Sequence, residues 1–191
     1  MNYKEYTAKA FDIAKRHGFH DKEMPEEHWL MLIISEISEM VESDRLRYHA
    51  QEAMFKEKCN TAQPNETENE HWKYCFNVFI KDTVEDEMAD VCIRIFDLAG
   101  LLELELEEPK ELNDIDVSDI DKMVRAKPFT QKAFTCCCVI TRGIIPLKKR
   151  LEMVLDKIRV WAKSEQIDIE WHIQQKMKYN DMRSMKHGKQ Y

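Results

Sequence analysis

KDTVEDEMADVCIRIFDLAGLL, Lys81 to Leu102, is the stretch whose reading decides the fold. Its apolar residues Val84, Met88, Val91, Ile95, Leu98 and Leu102 recur at three- and four-residue steps. A helix turns by about 100° per residue, so this spacing draws one apolar stripe, where a strand would alternate. Glu87 and Asp90, three positions apart, stand side by side at the border of that stripe. Carboxylates beside a core face are costly unless something cationic neutralises them.

A second pair precedes them. Trp29 to about His49 reads as a helix with the stripe Leu30, Ile33, Ile34, Ile37, Met40 and Val41, and Glu36 and Glu39 flank it. The pattern is therefore E-x-x-E, a long gap, and E-x-x-D, with both pairs at core edges. Arg94 follows Asp90 by four residues, a spacing that suits a salt bridge between them. Ligands that are all oxygen select Mg²⁺, or Mn²⁺ in its place, rather than zinc. Mg²⁺ keeps several waters and recruits substrate phosphates, so the cluster points to a nucleotide or polyphosphate substrate.

Composition agrees with helices. The chain has 191 residues, enough for one domain with a real core, and only 4 Gly and 5 Pro, too few for a turn-rich all-β fold. Further helices are expected at Tyr3–His17, Phe129–Thr141, Ile145–Ser164 and Ile167–Arg183. Ala50–Glu70 reads as a helix end followed by a surface loop, and Glu103–Asp121, with nine acids and one lysine, as a solvated connection. The aromatic segment His71–Phe79 reads as packing, with Trp72, Tyr74 and Phe76, and also Trp29, as alternatives for stacking on a base. Glu68 and His71 form a single E-x-x-H spacing in polar surroundings, which is read as chance.

A net charge of −7 disfavours binding to a nucleic acid polymer, although Lys176, Lys178, Arg183, Lys186 and Lys189 make the C-terminal stretch basic. Six cysteines without a C-x-x-C pair are expected to be free, reduced thiols. No apolar run approaches the roughly 18 residues of a membrane span and no leader opens the chain, so the expectation is a cytoplasmic protein without a membrane partner.

Three stretches together carry a resemblance: SEISEMVESDR (Ser35–Arg45), DEMADVCIRIFDLAG (Asp86–Gly100) and IDIEWHIQQKMKYNDMRSMKHGKQY (Ile167–Tyr191). They resemble the MazG-like nucleoside triphosphate pyrophosphohydrolases of the all-α NTP pyrophosphatase superfamily, which includes the dimeric dUTPases and dCTPases. The family pattern is E-x-x-E, then E-x-x-D, then K-x-x-x-N-x-x-R with a basic H-G-K-like end, and all three parts occur in that order. The resemblance covers roughly a third of the chain. It implies a single all-α domain over residues 1–191, a helical bundle with two additional helices inserted before the last helix, in the segment at about 101–166. It implies an enzyme that hydrolyses a (d)NTP to the (d)NMP and pyrophosphate and so cleans the nucleotide pool.

By the same resemblance Glu36, Glu39, Glu87 and Asp90 hold Mg²⁺; a carboxylate not fully engaged with the metal can take the proton of the attacking water, and Glu39 is the candidate. Lys176, Asn180 and Arg183, at i, i+4 and i+7 on one helical face, together with Lys186 and Lys189, meet the phosphates. A homodimer, with a tetramer as the variant, is the expected assembly. The chain departs from the family at Ser35, where a glutamate often precedes the first ligand, and at the inserted segment. The rival readings are a non-catalytic helical interaction module and a metal-dependent hydrolase of another phosphate ester or alarmone.

Overall fold

Thr83 opens the central helix by accepting the Asp86 N–H on its hydroxyl, at 3.3 Å, and by donating to the Ile80 carbonyl at 2.6 Å. The computed structural model describes residues 1–61, 67–108, 124 and 126–185. Among them are eight helices and no strand: α1 (Tyr3–Arg16), α2 (Glu26–Arg45), α3 (Glu52–Cys59), α4 (Glu68–Phe79), α5 (Val84–Leu101), α6 (Phe129–Ile140), α7 (Leu147–Ser164) and α8 (Ile169–Asp181). The protein is an all-α bundle.

The α5 helix is its axis. It is packed by α1, α2, α7 and α8, and 14 of its 18 residues are buried, acids included. A helix enclosed on all sides is apolar almost all round, which explains why Cys92, Ile93, Phe96 and Ala99 are as hidden as the expected stripe. Leu102, placed in the stripe by periodicity, lies past the helix end and is 42% exposed. Tyr3, Ile13, Ile33, Ile37, Ile173 and Leu155 close the main core around the axis.

The α2 and α5 helices run antiparallel. Ser43, near the end of α2, donates to the carbonyl of Asp82, just before α5, at 2.9 Å. Glu36, half-way along α2, meets Arg94, beyond the middle of α5, at 2.9 Å.

The two helices expected over Phe129–Thr141 and Ile145–Ser164 form, as an α6–α7 hairpin against α2 and α5. Arg150 of α7 pins them by donating to the Ile140 carbonyl and to Glu26, each at 2.8 Å.

One expectation fails between residues 50 and 61, where the chain forms α3 instead of a loop. Only Phe55 of that helix is buried, edge-on to Trp72 and Trp171. Periodicity cannot reveal a helix of eight residues with one anchor; tertiary contact makes it. Thr67 and Glu70 cap α4 reciprocally, a T-x-x-E signal present in the sequence. His71 takes a structural place, its Nε2 against the Lys58 carbonyl at 2.9 Å, joining α4 to α3. Trp72 and Phe76 stack in a satellite core completed by Tyr179 of α8.

Gly100 lets α1 and α5 touch. A Cβ there would stand 2.5 Å from Phe11 Cβ and 3.3 Å from the Thr7 carbonyl oxygen. Glycine to alanine within an isolated helix gains up to about 1 kcal/mol. Here the clash wins, and Gly100→Ala is expected to destabilise the protein by about 1–3 kcal/mol in urea unfolding. A variant as stable as the parent would show that α1 gives way freely.

Candidate functional site

A cleft of about 230 Å³ opens where α1, α2, α5 and α8 meet. Glu36 and Glu39 enter from α2, Glu87, Asp90, Arg94 and Asp97 from α5, and Asn180 and Arg183 from α8 and the turn after it. Neither α6 nor α7 contributes a described lining residue, so the inserted helices complete the core instead of covering the cleft.

The two carboxylate pairs converge because antiparallel helices bring residue 36 opposite residues 90 to 94. One carboxylate oxygen each from Glu36, Glu39 and Glu87 lie within 4.8 Å of one another. Glu36 and Glu87 are buried and Glu39 is exposed at the mouth. Ser35 donates its hydroxyl to Glu39 Oε1 at 3.3 Å. Its place before the first glutamate thus holds a neighbouring carboxylate instead of adding another.

Arg94 is not the partner of Asp90 that the four-residue spacing suggests. Its Nε donates to Glu36 across the α2–α5 seam at 2.9 Å. Asp90 is held by Lys176, whose Nζ lies 2.7 Å from Asp90 Oδ2 and 2.6 Å from Asp86 Oδ2. The Lys176 side chain is 5% exposed. Lys176 therefore lines the expected cleft, but its ammonium already sits between two carboxylates. Asn180 faces the cleft with its buried Oδ1 without a hydrogen-bond partner among the described residues. Arg183 lies over the Tyr179 ring, 5.7 Å from its centroid. Lys186 and Lys189 fall outside the described residues. Trp29, Trp72, Tyr74 and Phe76 do not line the cleft; its aromatic wall is Phe19.

Sequence reasoning passed over three acids. Asp97 accepts from His20 Nε2 on Oδ1 at 2.7 Å, both side chains buried. Asp86 is 1% exposed and sits behind the wall. Asp82 lines the cleft from the turn before α5. The D-x-x-x-D-E run of residues 82–87 was the available signal, since a four-residue step stays on one helical face.

The electrostatics follow from burial. Desolvation, then the charge of Asp90, pushes the Glu87 carboxyl up from 4.5 to about 9, against the pull of Lys176. Desolvation raises Asp86 to about 6, Lys176 again opposing it. Glu36 is raised by desolvation and by Asp90 in spite of Arg94. The charges of Asp86, Asp90 and Glu87 outweigh desolvation at Lys176 and hold its ammonium charged. Glu87 has no side-chain hydrogen bond or ion pair to another described residue, although it is 3% exposed. Seven carboxylates in and behind the wall (with Asp86) meet four permanent cations, Lys81, Arg94, Lys176 and Arg183. A hard divalent cation fits this donor set: the ligands are oxygens, one is buried without a partner, and positive charge is in deficit.

Comparison of the chain with protein-family models, with curated proteins and with solved structures finds no match. All six cysteines are free. Among the described residues, no helix is long and apolar enough to cross a membrane.

Two outcomes are expected. Unfolded, Glu87 loses its proton near pH 4.5; folded, it keeps it to about 9. Between those values the native state binds more protons. Its contribution is thus complete below about pH 4.5 and is lost as the pH climbs through 9. Denaturant unfolding of EDTA-treated protein should show stability falling over that range, more steeply than in Glu87→Gln. Identical pH profiles for the two proteins would contradict the burial of an uncompensated carboxylate. Separately, Lys176→Met should cost about 3–5 kcal/mol, because it strands Asp86 and Asp90. A loss under about 1 kcal/mol would mean that water already screens the trio.

Proposed function

We propose that this protein is a divalent-metal-dependent nucleoside triphosphate pyrophosphohydrolase of the MazG-like kind, converting a (d)NTP and water to the (d)NMP and pyrophosphate. The observation that carries the reading is the convergence of Glu36, Glu39 and Glu87 from two antiparallel helices on one cleft. Two acidic pairs on helix surfaces would have no reason to meet at the edge of a core. An interaction module with solvated acids gains nothing from burying Glu87 without a hydrogen-bonded or ion-paired partner.

Glu36, Glu39, Glu87 and Asp90 would hold Mg²⁺, with Mn²⁺ as its substitute. Bound there, the ion neutralises triphosphate oxygens and makes water more acidic. The chain's own residues do the rest. Arg94 fixes the rotamer of Glu36, and Lys176 fixes Asp90, so the donor atoms are set before substrate arrives. Lys176 thereby serves the phosphates at one remove, through Asp90. Glu39, the exposed member held by Ser35, is placed to take the proton of the water that attacks the α-phosphorus. That attack breaks the bond to the bridging oxygen, and pyrophosphate leaves. Asn180 and Arg183 on the opposite wall supply donors to the phosphate oxygens. The family resemblance adds a homodimer, with a tetramer as the variant.

A panel of nucleoside triphosphates with Mg²⁺ tests the reading by product. Pyrophosphate and monophosphate in equal amounts are expected. Inorganic phosphate alone would point to a hydrolase of another phosphate ester, and no turnover to a binding module. Glu87→Gln should lower pyrophosphate release by at least about 100-fold while its metal-free stability at pH 8 is no lower than the parent's. Full turnover in that variant would remove Glu87 from the site.

A further inference from the structure

Two of the free cysteines meet in the satellite core, away from the cleft. Cys59 ends α3, and Cys75 stands in the second half of α4. Cys75 is buried within the cluster of Phe55, Trp72, Phe76 and Tyr179, and Cys59 packs half-buried against it. His71 ties the two positions together. Its Nε2 lies 2.9 Å from the carbonyl oxygen of Lys58, the residue before Cys59, and 3.7 Å from the Cys75 sulfur. The Cys59 and Cys75 thiols are themselves hydrogen-bonding neighbours. We propose that Cys59 and Cys75 are a redox pair that closes to a disulfide under a peroxide and locks α3 to α4. The proposal is independent of the reading of the cleft.

The other cysteines lack this combination. Cys92 and Cys136 also feel one another, but both are enclosed in the main core, away from any oxidant. Cys137 and Cys138 are consecutive on α6, so their side chains diverge by about 100°. Cys59 joins a partly open thiol to a buried partner.

The Cys59 thiolate attacks one peroxide oxygen, the O–O bond breaks and hydroxide leaves, giving a sulfenic acid. The Cys75 sulfur then attacks the Cys59 sulfur. The S–S bond forms, the S–O bond breaks, and the departing hydroxide takes the Cys75 proton as water. Together the thiols lose two electrons and two protons, and the peroxide becomes two waters. His71 assists the second half. A carbonyl oxygen only accepts, so the Nε2 facing Lys58 carries a hydrogen. That N–H, beside the Cys75 sulfur, favours negative charge there. Burial and the contact with Cys75 push the Cys59 thiol up from 9.0 to about 12. Closure is therefore slow at neutral pH and quickens as rising pH increases the thiolate fraction. The pair answers lasting oxidation, not a brief pulse.

The disulfide would hold the least anchored of the described helices, since α3 buries Phe55 alone. The α4 helix to which it would be tied supports the end of α8. Phe76 stacks on Tyr179 with centroids 4.5 Å apart, Asn77 accepts from the Tyr179 hydroxyl at 2.8 Å, and Lys178 lies over the Trp72 ring. Asn180 follows Tyr179 directly, so oxidation stiffens the platform beneath one wall of the cleft.

Hydrogen peroxide is the probe. The full chain is treated, alkylated, unfolded and mapped as peptides without reductant. The parent should yield a peptide pair linking Cys59 to Cys75, and linking should run about tenfold faster at pH 8 than at pH 7. Closing a loop of about 15 residues should raise the melting temperature by at least about 4 °C, a gain that dithiothreitol reverses. Cys59→Ser is the main variant, because the position is half-buried; it should begin at the parent's melting temperature and show neither link nor gain. Cys75→Ser should prevent the link likewise. A Cys59 that stays a thiol, goes to sulfinic acid without a partner, or links to a different cysteine overturns the pair. A Cys59–Cys75 link without a gain in melting temperature overturns the lock.

Discussion

One ammonium group holds this protein's parts in register. Lys176 arrives on α8, 90 residues after Asp86, and places its charge between Asp86 and Asp90 of α5. The described elements between those positions, the α6–α7 hairpin among them, must fold so that α8 can come back to the axis. The apolar contacts of Ile173 and Met177 supply the area, but an apolar face alone would tolerate a slide by one turn. A buried ammonium facing the buried Asp86 and the partly buried Asp90 does not, because a slip leaves buried charges unpaired.

That arrangement is a poor source of stability and a good source of position. Desolvating charges costs several kcal/mol each, and their attraction recovers the loss only when geometry is close to ideal. Asp86, Glu87 and Glu36 are all raised above their ordinary values, burial being the first cause of each. The fold therefore keeps its acids at a strain that hydrophobic replacements would relieve. Such strain is held where surrounding structure over-determines it, here by the fully buried flank of α5. A cation bound among these carboxylates would relieve it.

Much of this was legible beforehand, for a definite reason. The α2 and α5 helices are long and strongly periodic, so the placement of Glu36, Glu39, Glu87 and Asp90 at core edges followed from rotation per residue alone. The α6 and α7 helices emerged within two residues of their expected bounds on the same basis. What periodicity could not report was partner choice. Local spacing offers Arg94 to Asp90, whereas the crossing of α2 over α5 offers it Glu36, and the across-helix pair forms. Lys176 and Asn180 stand on α8 and Arg183 in the turn after it, past the observed helix end, and all three line the cleft, yet nothing in a single helix says that an opposing carboxylate will claim the lysine. Asp82 and Asp86 escaped because one precedes the helix and the other hides behind its wall. The α3 helix escaped because its stability is lent by Trp72 and Trp171.

The inserted hairpin sharpens what the cleft requires. The α6 and α7 helices pack against α2 and α5 and add core without lining the cleft. The Arg150 links to Glu26 and to the Ile140 carbonyl clamp the start of α2 to both helices. The start of α2 is the end away from the carboxylate seam. Fixing it there stiffens the helix that delivers Glu36 and Glu39, since a 20-residue helix held at one end by α6 and α7 and along one side by α5 has little freedom to tilt. The carboxylates on α2 must meet those on α5 to within about an ångström for an ion to bridge them. In this chain that precision comes from helices that line no described part of the cleft.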